Sequence, residues 1–274
     1  MSLLAINWNV DPVFFTIFGL EVRYYGVLFA LAFVASYWIF TRMYKHEGIK
    51  ITEIDTLAFY VGIGVVVGAR LGHVFFYQPD YYLSHPWHIL NIREGGLASH
   101  GAAIGILVAL WLYSRKYKRT YIWLLDRIAL AVPLAGMFVR LGNLMNSEIY
   151  GHVTTMPWGF IFLREGEVLP KHPTQIYEAL AYLVIFLILY WLYFKKDITF
   201  KKPGMLFGIF LILLFSARFF IEFIKNDQVG FEQGMALNMG QYLSIPFIII
   251  GIGFIIYANK YAKPNPLPKD NKRK

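Results

Sequence analysis

Three arginines in apolar surroundings set the chemical question for this chain. Arg70, Arg140 and Arg218 each fall late in a long hydrophobic run, in the contexts Arg70-Leu-Gly-His73, Arg140-Leu-Gly-Asn143 and Arg218-Phe-Phe-Ile-Glu222. An arginine at mid-bilayer costs roughly 2.5–3.5 kcal/mol to insert, so it faces a partner or a wet cavity rather than lipid tails. Its planar fork suits phosphate, the anion that a membrane leaflet offers. Glu222 lies one helical turn beyond Arg218 and could pair with it. Past Arg140 the chain carries Asn143, Asn146, Glu148 and Gly151, a polar stretch where a hydrophobic run stops. Three further segments, starting Ser99-His100-Gly101, His172-Pro-Thr-Gln-Ile-Tyr-Glu178 and Asn238-Met-Gly-Gln241, open the runs of opposite direction. Their first turns bring unpaired N–H groups and positive dipole ends to the same layer. His100 is the side chain there best suited to exchange a proton near neutral pH.

Other chemistries find less support. With no cysteine, the chain has neither a disulfide framework nor a thiol nucleophile, and any thiol must come from a partner. His85-Pro-Trp-His88 lacks an evident third ligand, so no metal is expected, and no cofactor either. There is no nucleophile elbow or phosphate loop, and Ser99 beside His100 does not by itself make a dyad. The net charge of +9 is distributed as a membrane topology would distribute it, so nucleic acid is not an expected partner.

The elements that must position these residues are membrane helices. Of 274 residues 57% are hydrophobic and 18% aromatic, and the mean hydropathy is +0.49, more apolar surface than a soluble domain carries. The expected class is an all-α polytopic membrane protein. Runs long enough to cross about 30 Å of hydrocarbon read at 24–41, 56–77, 99–113, 121–144, 176–194, 204–224 and 239–258, giving seven transmembrane helices. Lys and Arg collect after the first, third and fifth runs and in the tail, which predicts a cytoplasmic carboxyl terminus and an outside amino terminus. No basic stretch precedes the first run, so a cleaved signal peptide is not expected. Residues 1–260 read as one membrane domain, with outer segments 78–98 and 146–174 as a small lid or head; residues 261–274 read as a basic, disordered tail. At about 1.5 Å per residue the three arginines lie roughly 20–29 Å from the cytoplasmic side, in the outer leaflet. Gly64, Gly68 and Gly72 predict a close helix–helix contact.

Six collinear blocks then resemble one family. They are Arg23-Tyr-Tyr-Gly26, Gly95-Gly-Leu-Ala-Ser-His-Gly101, Arg140-Leu-Gly-Asn with Asn146-Ser-Glu148 and Gly151, His172-Pro-Thr-Gln-Ile-Tyr-Glu178, Arg218-Phe-Phe-Ile-Glu222, and Met239-Gly-Gln-Tyr-Leu-Ser-Ile-Pro246. Together they resemble the bacterial prolipoprotein diacylglyceryl transferases. The resemblance implies a multi-pass enzyme of the bacterial cytoplasmic (inner) membrane whose active site faces the outer leaflet. It would move the diacylglyceryl group of phosphatidylglycerol to the lipobox cysteine of a prolipoprotein signal peptide, releasing glycerol phosphate. It also implies headgroup binding by Arg140 and Arg218, supported by Asn143, Asn146, Glu148, Gly151 and Gly101. His100 would be the base, Tyr25 the functional tyrosine of the first span, and Glu222 the acid paired with Arg218. Arg70 joins the binding set through its place in the arginine layer. Ala102 and Ala103 depart from the family's usual small glycine after His100-Gly101, and Leu214 stands where some members carry tyrosine. The alternative class is an anion or lipid transporter or channel, which predicts a polar path to the cytoplasmic side and an inverted repeat.

Overall fold

The computed structural model describes residues 5–91, 96, 98–226 and 236–264. In chain order it has β1 (Ile6–Trp8), β2 (Val13–Ile17), β3 (Leu20–Arg23), α1 (Tyr24–Glu47), α2 (Thr52–Phe76), α3 (Pro79–Ser84), α4 (Ser99–Tyr117), α5 (Tyr121–Met145), β4 (Phe160–Phe162), α6 (Thr174–Phe194), α7 (Ile198–Lys201), α8 (Met205–Ile221) and α9 (Met239–Lys260). The chain is mostly helical, and six of its helices are long and apolar enough to cross a membrane: α1, α2, α5, α6, α8 with the turn that follows it, and α9. The expected count was seven. The third expected span forms as α4, which carries Arg115 and Lys116 in its last turn and is not one of the six. The expected tail lies outside the described residues from 265 on, as do residues 92–95 and 97 of the segment 78–98.

The chain folds as two compact units. Among the described residues, the first takes those up to Ile39 and those from Leu125 on. Here β1 pairs in parallel with β4, Ile6 opposite Phe160 and Trp8 opposite Phe162. Leu144, Phe160 and Phe162 form a small core with Trp8, Tyr150 and Ile176 against it, and Trp8 Nε1 donates to the Leu144 carbonyl at 3.1 Å. That core anchors the end of α5. The antiparallel β2–β3 hairpin leads directly into α1, and Tyr24 N–H donates back to the Pro12 carbonyl at 2.9 Å. The buried Asp126 carboxylate accepts the N–H groups of Gly204 at 2.7 Å and Phe207 at 2.9 Å. It thereby satisfies donors that the start of α8 would otherwise leave open. Asn238 and Gln241 form a reciprocal capping box at the start of α9.

The second unit is built on α2 and α4. Gly64, Gly68 and Gly72 meet Gly101 and Gly105 with their backbones touching, the close approach that the glycine spacing predicted; a Cβ on Gly105 would overlap the Gly64 carbonyl. The hydroxyls of Tyr44 and Tyr113 lie 2.9 Å apart in this unit, Arg119 pairs with Glu53 at 3.4 Å, and Trp123 Nε1 donates to Glu47 at 3.1 Å.

Candidate functional site

The first unit gathers its charged residues where α5 and α8 end and α6 begins. Arg140 lies in the penultimate turn of α5, and its Nε is 3.0 Å from Glu178 Oε2 on α6. Arg140 Nη1 also donates to Asn143 Oδ1 at 3.2 Å. Asn143 Nδ2 in turn donates to Glu148 Oε1 at 2.8 Å, and Asn146 Nδ2 reaches the same oxygen at 3.2 Å. Asn143 therefore links Arg140 to the following turn. That turn is strained: Ser147 and Ile149 have φ of 56° and 62°, and a β-branched residue rarely adopts this left-handed region. Two side chains from the first turn of α6 strap it, Thr174 Oγ1 donating to the Ile149 carbonyl at 2.8 Å and Gln175 Nε2 to the Glu148 carbonyl at 2.7 Å.

Two glycines make room for aromatic rings beside Arg140. A Cβ on Gly142 would meet Tyr25 Cδ2 at 2.8 Å, so the half-buried Tyr25 ring lies flat against the Arg140–Asn143 turn. A Cβ on Gly136 would meet Tyr182 Cδ2 at 2.9 Å. Tyr182 interacts electrostatically with both Arg140 and Arg218.

α8 supplies the other half. The pairing of Arg218 with Glu222 expected from their spacing is not what forms. α8 ends at Ile221 and Glu222 begins a 3-10 turn, Glu222–Ile224, but its N–H still bonds the Arg218 carbonyl, so the two residues stay one turn apart and only the carboxylate is committed elsewhere. Glu222 instead lies 3.5 Å from Lys225 Nζ, and Lys225 is also 3.6 Å from Glu178 Oε1. The Arg218 Nε is buried with no hydrogen-bond partner among the described residues. Both oxygens of the fully buried Glu178 are held by charge proximity rather than by aligned hydrogen bonds. Burial lowers the Lys225 ammonium below the ordinary lysine value, and Glu178 pulls it part of the way back. Arg140 and Lys225 thus share Glu178, Lys225 also reaches Glu222, and Arg218 stands within electrostatic range of Lys225 and Tyr182.

Backbone geometry brings Lys225 into this group. Gly151 bridges Lys225 in antiparallel fashion, Gly151 N–H donates to the His172 carbonyl at 2.9 Å, and His152 N–H donates to the Ile224 carbonyl at 2.9 Å. A Cβ on Gly151 would overlap the Ile224 carbonyl, so only glycine fits the crossing. Likewise a Cβ on Gly240 would sit 2.5 Å from Glu222 Oε1. Nearby, burial and the Glu167 carboxylate push the Tyr150 phenol up to about 12, so it remains a donor to Glu167 at 2.9 Å. Burial, with His152 alongside, holds His172 below its usual value.

The second unit holds the remaining candidates. His100 is exposed on the first turn of α4, its ring centroid 5.0 Å from Phe76 and 5.8 Å from Tyr77. Gly101 belongs to the glycine seam with α2. Arg70 requires a correction. It is buried, and its guanidinium donates to the backbone carbonyls of His88, Ile89 at 2.8 Å, Asn91 at 3.0 Å and Gly96 at 3.3 Å, with the Tyr82 ring 4.9 Å away. Its donors clamp the segment after α3 to α2 and are not presented to an anion. Among the described residues no three His, Cys, Asp or Glu side chains are disposed to hold a metal ion.

Glu178, Lys225 and Tyr182 were not singled out from the sequence as site residues. Glu178 closes the block that begins at His172, three positions after Gln175, a spacing that puts both on one helical face. Lys225 and Tyr182 carried no comparable signal.

Residues 12–257 match the family model described as prolipoprotein diacylglyceryl transferase. The phosphatidylglycerol–prolipoprotein diacylglyceryl transferase of Porphyromonas gingivalis is 48% identical, over 95% of this chain and 97% of its own length. Proteins of the same name from Bacteroides fragilis and Tolumonas auensis are each 46% identical, over 94% and 92% of this chain and 97% of their own lengths.

Proposed function

The chain belongs to the prolipoprotein diacylglyceryl transferase family, and on that footing we propose that it transfers the diacylglyceryl group of phosphatidylglycerol to the lipobox cysteine of a prolipoprotein. The observation that carries this reading at the level of residues is the gathering of Arg140, Arg218 and Lys225 in one electrostatic cluster, Arg140 and Lys225 paired with Glu178 and Lys225 also with Glu222. The Arg218 Nε, buried without a hydrogen-bond partner among the described residues, still has a donor to give. Such a cluster, at the ends of apolar helices, suits a phosphodiester headgroup.

The reaction needs a thiolate, and a free cysteine with a pKa of about 8.5 is only a few per cent ionised at neutral pH. His100 takes the thiol proton. Sulfur then attacks the glycerol carbon that bears the phosphate ester, forming a C–S bond as the C–O bond breaks. Glycerol phosphate leaves with that electron pair, and its phosphate passes from one negative charge to two. Arg140 and Arg218 stabilise the added charge in a site of low dielectric, where such donors contribute several kcal/mol. Asn143 and Glu178 hold Arg140 in place; Asn146, Glu148 and Gly151 hold the turn behind it; Tyr25 bounds the headgroup site, and Gly101 sets the position of His100. The protein works in the bacterial cytoplasmic (inner) membrane with seven spans, α4 included, the amino terminus outside and the carboxyl terminus cytoplasmic. Residues 1–260 form the membrane domain, with 78–98 and 146–174 as outer lid segments.

The test is a reconstituted assay with purified protein, phosphatidylglycerol and a lipobox peptide, read by mass spectrometry of the peptide and by detection of glycerol phosphate. The expected result is a diacylglyceryl mass gain on cysteine that is lost in Arg140→Ala and reduced less severely in His100→Asn. Full turnover in both Arg140→Ala and Arg218→Ala would overturn the phosphate role. No mass gain with folded protein would overturn the transferase reading.

A further inference from the structure

The glycine seam between α2 and α4 leaves an open trough in the second unit. Along the seam no side chains stand up, and Ile63, Val67 and Leu71 on α2 face Ile104, Val108 and Leu112 on α4 across a groove of about 440 Å³. Val67 is 48% exposed and Val108 51%, so the trough is open rather than filled by the chain. Its α2 wall, from Tyr60 to Phe76, is about 24 Å long at 1.5 Å per residue, more than one leaflet's half of a ~30 Å hydrocarbon core.

The two ends of the trough differ. On α4 the trough face runs through Gly101, Gly105, Val108 and Leu112, and the next residue on that face, one turn on, is Lys116. The Lys116 ammonium lies 5.7 Å from the ring of Tyr60, which lines the trough, and 5.6 Å from that of Tyr117. Arg115 lies over Trp111 at 5.3 Å. Both cations are exposed, and neither has a carboxylate partner among the described residues; the nearby Glu53 is taken by Arg119 and the Tyr113 hydroxyl. The opposite end is bounded by Phe76, with the His100 ring against it. An apolar channel of leaflet height with free cations at one end is complementary to a lipid with a negative headgroup. A partner helix fits less well, because the walls are β-branched and long side chains rather than the small residues at which helices approach closely.

We propose that this trough binds one acyl chain of an anionic phospholipid whose phosphate rests on Lys116 with Arg115 beside it. The lipid belongs to the leaflet on the Lys116 side, the cytoplasmic one in the orientation proposed above, and it is distinct from the lipid consumed in the reaction. Only that leaflet assignment rests on the preceding reading; the site itself does not.

The experiment uses the full chain in neutral detergent with a phosphatidic acid carrying a mid-chain diazirine, a probe that has the phosphate but lacks the glycerol headgroup. Photolabelled peptides are mapped by mass spectrometry. Labelling is expected in peptides covering residues 60–76 and 101–112. Lys116→Ala should lower it about fivefold, the factor corresponding to ~1 kcal/mol per basic residue at an anionic membrane surface. Val67→Trp, which fills the trough and keeps the cation, should lower it as well. The matching photoreactive phosphatidylcholine should label weakly and be indifferent to Lys116→Ala. Equal labelling by phosphatidylcholine would make the trough ordinary lipid-facing surface, and unchanged labelling in Lys116→Ala would remove the headgroup site; either overturns the proposal. Diacylglyceryl transfer measured on the same preparations reports separately on the enzymatic reading.

Discussion

Glu178→Gln isolates the charge that holds the cationic cluster together. The substitution keeps the side chain's size and leaves Arg140 Nε and Lys225 Nζ, 3.0 and 3.6 Å from the carboxylate, without their shared counter-ion. At an effective dielectric near 20 each pair has a gross Coulomb energy of about 5 kcal/mol, much of it already offset by desolvation. Removing one partner of a buried pair typically costs about 3–5 kcal/mol. Arg140 keeps Asn143 and Lys225 keeps Glu222, so the lower end applies, about 3 kcal/mol of stability. Turnover should fall roughly 100-fold, the order seen when a preorganised donor to a developing charge is misplaced. Both quantities are accessible in one detergent preparation, stability from denaturant unfolding and turnover from peptide mass spectrometry. Adding Lys225→Met removes the cation left behind, so the double variant should be less unstable than the two single effects summed, by about 1.5 kcal/mol or more. Wild-type stability and turnover in Glu178→Gln would refute the claim that this carboxylate aims Arg140. Strict additivity in the double variant would refute the shared charge.

The other expectations test the scaffold around that cluster. Gly142→Ala places a Cβ 2.8 Å from Tyr25 Cδ2, so the ring must turn away; transfer should fall about tenfold, equivalent to ~1.4 kcal/mol, with a smaller change in unfolding. Asp126→Ala strips two donors at the start of α8 of their acceptor and should cost about 2 kcal/mol or more in denaturant unfolding, whereas a change under about 0.5 kcal/mol would mean those N–H groups find other partners. Gly105→Val forces α2 and α4 apart and should cost roughly 3 kcal/mol, measured by the same unfolding. His172 has a lowered pKa, so its neutral ring is favoured in the folded protein: its contribution is complete above about pH 6.5 and is lost as pH falls through the folded value. Between about pH 7 and 5 the unfolding midpoint should therefore drop less in His172→Gln than in wild type, and parallel pH profiles would contradict it.

Long apolar runs are legible because crossing hydrocarbon demands some twenty apolar residues in succession, and the helices α1, α2, α5, α6, α8 and α9 formed where those runs lie. β1 and β4 were not legible: each has three residues, too few to carry a period, and more than 150 positions separate them. The arginines show the limit most clearly. Arg70 and Arg140 stand in the same Arg-Leu-Gly context and carry the same insertion cost, yet one gives its donors to backbone carbonyls and the other to a carboxylate and an amide. Backbone carbonyls are present at every position, so the partners of Arg70 leave no mark on side-chain identity. Lys225 escaped notice for the opposite reason. It lies beyond the apolar run, where a lysine is unremarkable, and is buried by the crossing at Gly151, a meeting that no local spacing encodes. Glu222 has the right spacing from Arg218, yet its carboxylate is taken by Lys225, three residues on. Insertion cost thus marks where a charge needs relief, and the path of the backbone decides which group relieves it.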